Sequence, residues 1–149
     1  MARHPRWVRR FLSGADLDEV ARAVTEAETH TAAEIRVHLD ARCAGDPLAQ
    51  AVKVFDRLGM YRTAERHGVL IYIAVGDRKL AVIGDTGIHE RVGEEYWRRL
   101  AASITSHFRE ARARDGLIHA VRELGEALGR HFPRRPGDAN ELSDTVSAG

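Results

Sequence analysis

The sequence predicts an α/β protein: an αβα sandwich on a mixed β-sheet, with one βαβ unit, one β-hairpin and helices on both faces. Three observations lead there. Residues 69–75 are apolar at almost every position, as a central strand buried on both faces requires. A second β-rich run, 79–83, follows the tight Gly76-Asp77-Arg78 turn, in which Gly tolerates positive φ and Asp bonds its own backbone. Residues 34–40 alternate in polarity and are joined to the apolar run through a helical pattern, so these two strands should lie parallel.

The elements follow in order. Ser13 is placed to cap a first long helix, with Asp16 three residues on; Leu17, Val20, Ala21, Val24 and Ala27 form its apolar face and it should end near residues 29–31. Strand 34–40 puts Ile35, Val37 and Leu39 inward and Arg36, His38 and Asp40 outward, which makes His38 an exposed strand residue. Asp46-Pro47 opens the next helix, whose expected core face is Leu48, Ala51, Val52, Phe55 and Leu58, and Gly59 stops it. Past the hairpin, a short helical turn leads through Gly93 into a helix striped by Trp97, Leu100, Ala101, Ile104 and Phe108. Asp115 is the expected cap of the last helix, which carries Leu117, Ile118, Val121, Leu124 and Leu128 and ends before Pro133. Three regions result: a basic arm, 1–12; a folded domain, 13–133; and a disordered tail, 134–149, with few apolar residues.

Composition narrows the function classes. A chain of 149 residues is long enough for one real core, and 44% hydrophobic with 30% charged residues describes an ordinary globular domain. A net charge of +1 gives no global pull toward nucleic acid. A single cysteine, Cys43, excludes an internal disulfide and a cysteine-based zinc cluster, and its thiol reads as inert. No stretch has the length and apolarity of a signal peptide or a membrane span, so a cytoplasmic location is the expectation. Arg3, Arg6, Arg9 and Arg10 interleaved with Trp7 and Phe11 make the arm either a solvated segment packed on the domain edge or a docking segment for a partner or membrane surface.

The motifs together resemble one family. Thr31-Ala32-Ala33-Glu34-Ile35-Arg36-Val37, Phe55-Asp56-Arg57-Leu58-Gly59-Met60, Arg66-His67-Gly68-Val69-Leu70-Ile71-Tyr72-Ile73-Ala74, Ile83-Gly84-Asp85-Thr86-Gly87-Ile88 and Gly116-Leu117 resemble, in order, the TPM domain. The likeness runs from Phe11 to Pro133, with His67 standing where the family typically has asparagine. The resemblance implies an αβα sandwich, divalent metal binding (often calcium) in some members and weak acid phosphatase activity in some. Other members look like accessory factors for membrane complexes.

Topology brings the family-like residues to one sheet edge. Glu34 starts its strand, Thr63, Arg66 and His67 precede the next, and Asp85 ends the antiparallel third, so Glu34, Arg66, His67 and Asp85 should converge with Thr63 and His89 nearby. Two carboxylates with loop carbonyls suit calcium or magnesium, and Arg66 could hold a phosphate oxygen; a structural Glu–Arg or Asp–Arg pair accounts for the same residues. The opposite edge offers a second metal candidate in Asp40 and Asp77, near Asp46, although turn and cap roles also explain the latter two. Gly84-Asp85-Thr86-Gly87 lacks the lysine and spacing of a P-loop, and a capped turn explains it. No Ser or Cys lies in a nucleophile motif, so any hydrolysis would use a metal-activated water. The expected function is an accessory interaction module for a protein partner, a membrane protein or complex among the candidates, with a divalent cation as cofactor. The alternative is a weak metal-assisted phosphatase using Glu34, Asp85 and Arg66.

Overall fold

The computed structural model describes residues 4–60, 67–110, 112–134 and 146–149. The elements are α1 (Arg6–Phe11), α2 (Gly14–Glu28), β1 (Glu34–Asp40), α3 (Pro47–Arg57), β2 (Gly68–Ala74), β3 (Lys79–Gly84), α4 (Thr86–Val92), α5 (Glu94–Arg109), α6 (Ala113–His131) and β4 (Ser147–Ala148). Local chemistry sets several boundaries. Ser13 and Asp16 exchange side-chain and backbone bonds in a capping box at the start of α2, and Asp46 accepts the Leu48 N–H at 3.2 Å at the start of α3. Helix α6 begins ahead of the expected cap; Asp115 lies in its first turn and pairs with Arg112 and Arg114.

The sheet is ordered β3-β2-β1-β4. Strands β1 and β2 run parallel from Glu34↔Gly68 to Asp40↔Ala74, and β3 returns antiparallel to β2. Both faces of β2 are covered. Val69, Ile71 and Ile73 share a core with residues of β1, α1, α2, α5 and α6, while Leu70, Tyr72 and Ala74 pack with Ala51, Val54 and Phe55 of α3. Every residue of β2 from Val69 to Ala74 is at most 2% exposed, so the αβα sandwich is what the apolar run requires.

Three local readings are corrected. His38 is buried, 2% exposed, because the polar face of β1 lies inside the sheet and builds a network of its own. Leu48 and Val52 are not core residues of α3. They are 51% and 50% exposed, and Val54 is buried instead, because the apolar stripe of α3 is wider than the strip it lays on the sheet. In the hairpin turn the residue with positive φ is Arg78 (53°); Gly76 is needed for space, since a Cβ there would stand 2.6 Å from the Ala41 carbonyl oxygen. Residues 1–3 of the arm and 135–145 of the tail lie outside the described residues, and the described parts of both regions carry structure. Val8 of α1 is fully buried and Phe11 meets Phe108 edge to face at 5.4 Å. Residues 146–149 lie against β1, with Ser147–Ala148 as a parallel strand and Val146 buried.

Candidate functional site

Two backbone bonds tie the three strands together at the edge where β1 and β2 begin. The Glu34 N–H donates to the His67 carbonyl (3.0 Å), and the Asp85 N–H donates to the Gly68 carbonyl (2.8 Å). Glu34, His67 and Asp85 thus share one edge of the sheet. Glu34 is 5% exposed, and the His67 ring lies tilted on Phe132 at 4.0 Å. Thr63 and Arg66 fall outside the described residues.

Asp85 is the residue with unmet chemistry here. It caps α4, Oδ1 accepting the Thr86 N–H at 2.8 Å, while Oδ2 is buried and has no hydrogen-bond partner among the described residues. One turn on, His89 Nδ1 accepts the Trp97 indole N–H at 3.2 Å, which fixes the plane of the Trp97 ring over β3. Gly84 makes that contact fit: a Cβ there would lie 2.5 Å from the ring.

The opposite edge holds Asp40 and Asp77 in finished roles. Asp77 accepts the Cys43 N–H (2.7 Å) and Arg42 Nη1 (3.2 Å), and so ties the 41–46 loop to the hairpin. Lys79 Nζ donates to the Cys43 carbonyl (3.0 Å) and the Gly45 carbonyl (2.7 Å). An ammonium therefore stands among the loop carbonyls that a hard cation would use. Asp40 accepts from His38 Nε2 (3.0 Å) and the Tyr72 hydroxyl (2.8 Å), and His38 Nδ1 lies 2.7 Å from Ser147 Oγ. Sequence reasoning missed this network because Ser147 is 109 residues from His38 and alternation alone marks β1 as wet on that side. Burial lowers the His38 pKa, outweighing the opposing hydrogen bond and charge of Asp40, and it raises that of Tyr72, with Asp40 adding to the rise. The described residues contain no cluster of three or more His, Cys, Asp or Glu side chains placed to hold a metal.

A groove of about 720 Å³ runs along β3, which has no strand beside its outer edge among the described residues. Leu48, Val52 and Phe55 of α3 wall one side and Trp97 and Ala101 of α5 the other; Asp85 lines one end. Leu48 and Val52 are the exposed large hydrophobic residues among those described, and both face this groove. Such an arrangement can accept an extended chain, whose main chain would pair with β3 while its side chains meet apolar walls on both faces.

Comparison with known proteins now supplies the family. None of the curated proteins matches the chain. Among solved structures, it is similar to the NMR structure of BA42 protein from the psychrophilic bacterium Bizionia argentinensis, with 34% identity and a TM-score of 0.87, covering 93% of this chain and 96% of that one. The TPM domain matches residues 8–127, most of the described fold, and the chain belongs to the TPM domain family.

Proposed function

We propose that this TPM domain is an interaction module that captures an extended segment of a protein partner along the outer edge of β3. The observation that carries this reading is the half-exposure of Leu48 and Val52 beside a strand edge that is unpaired among the described residues. Strand edges with apolar flanks are what natural proteins cover or blunt, and one kept open between two helices suits strand addition. Selecting displayed peptides on the immobilised full chain tests it. Selected peptides should shift the amides of Lys79 to Gly84 and lose binding to a Leu48→Ser/Val52→Ser variant. Peptides that bind the variant equally well would sink the reading.

A second reading is favoured by Asp85. Its buried Oδ2 without a described partner suits a divalent cation, with Glu34 as the second carboxylate at the same edge and carbonyls and water completing the shell. Bound there, calcium or magnesium would supply an activated water for weak phosphomonoester hydrolysis. Calcium and magnesium titrations followed by amide shifts separate this from the first reading. An ion held there must perturb Glu34 and Asp85, and Asp85→Asn must weaken it.

A further inference from the structure

We propose that the segment accepted by β3 is apolar in its middle and carries a cationic side chain at the end that lies beside Asp85. This rests on β3 as a strand acceptor and adds the chemistry of the partner. Asp46, Asp85, His89, Glu94 and Arg98 are the acidic and basic residues lining the groove, and His89 Nδ1 is taken by the Trp97 indole N–H. Arg98 is paired with Glu94 at 3.2 Å, four residues away on α5. Asp46 caps α3, and the Lys79 ammonium sits on the carbonyl of the adjoining Gly45. That leaves Asp85. It lines the groove and is 8% exposed, with Oδ1 engaged by Thr86 and Oδ2 buried and without a partner among the described residues.

A carboxylate oxygen in such a place gains most from a donor that also brings positive charge, and low local polarity strengthens the pair. One unpartnered oxygen calls for a single donor, which a lysine ammonium or one arginine N–H provides. The rest of the segment meets Leu48, Val52 and Phe55 on one face and Trp97 and Ala101 on the other, so successive side chains are both buried and both should be apolar. Strand β3 has six residues, which sets the length of segment that can pair along it.

The test uses isotopically labelled full-length chain and two peptides, acetyl-Lys-Val-Val-Leu-Val-Lys-amide and its counterpart with glutamate at both ends. Lysine at both ends meets Asp85 whichever way the strand runs. The lysine peptide should shift the amides of Lys79 to Gly84 and the Trp97 indole N–H, and bind at least about ten-fold more tightly than the glutamate peptide. Asp85→Asn keeps a competent helix cap and should bring the two peptides within about three-fold of each other. Equal binding of both peptides on β3 in the natural chain would overturn the cationic end and leave the strand acceptor standing. Failure of both to shift these amides would overturn the strand acceptor itself. Loss of lysine-peptide binding on adding calcium chloride, with shifts at Glu34 and Asp85, would give Asp85 to a metal ion and overturn the inference.

Discussion

The Tyr72 hydroxyl donates to Asp40 Oδ2 at 2.8 Å across the β1–β2 pair, on the face that α3 covers. Tyr72 is fully buried and Asp40 is 9% exposed, so this bond is part of how a carboxylate is tolerated inside the sheet. Tyr72→Phe keeps the ring and its packing and removes only that donor. The expected loss of stability is about 1–3 kcal/mol, the usual penalty for stranding a buried acceptor. Urea unfolding of both proteins checks it, and a change near zero would mean that Asp40 finds another donor.

His38 makes the same network sensitive to pH. Burial lowers its pKa below the ordinary 6.5; Arg57 and Arg36 act in the same direction, and Asp40 opposes them. The unfolded chain therefore takes up this proton at a higher pH than the folded chain. Stability from His38 is complete above pH 6.5 and declines as the pH falls below it, by at most about 1.4 kcal/mol per pH unit. Comparing urea midpoints at about pH 7.5 and about pH 5.5 should show a larger fall in the natural protein than in His38→Gln. Equal falls would assign the pH dependence to other groups.

Much of this fold is legible in the sequence because the strongest signals are local. The uninterrupted apolar run of β2 needs helices on both faces, and the hairpin fixes β3 beside it. That same logic places Glu34, His67 and Asp85 at one edge, as their backbone bonds record. What the sequence hides depends on partners far along the chain or on the backbone. His38 reads as wet because Ser147 is not visible from β1, and the loop carbonyls read as free because the Lys79 ammonium on them leaves no pattern. Leu48 and Val52 read as core because helical spacing reports an apolar stripe and not how much of it is covered.

Gly84 is held by packing and not by backbone conformation. Its φ is not positive, yet a Cβ would meet Trp97 at 2.5 and 3.0 Å and Ile88 at 3.2 Å. The Trp97 ring cannot swing away without losing its bond to His89. Gly84→Ala should therefore destabilise by roughly 1–3 kcal/mol, the range for overpacking a filled site. It should also shift the Trp97 indole N–H resonance, whereas a neutral substitution with an unmoved indole would mean that the ring has room to give.

The contrast between Ile71 and Val52 tests the architecture and the groove together. Ile71 is fully buried at the centre of β2, and Val52 is 50% exposed on α3. Ile71→Ala removes side-chain volume from a filled core and should cost about 2–5 kcal/mol. Val52→Ser removes half-exposed apolar surface from a wall of the groove, and should change stability by only about 0.5 kcal/mol. If Val52→Ser proved as damaging as Ile71→Ala, that wall would be core, and the groove would lose the apolar side that makes β3 a place to dock. A small stability change together with lost peptide binding is the expected result, since it separates what holds the sheet together from what it presents.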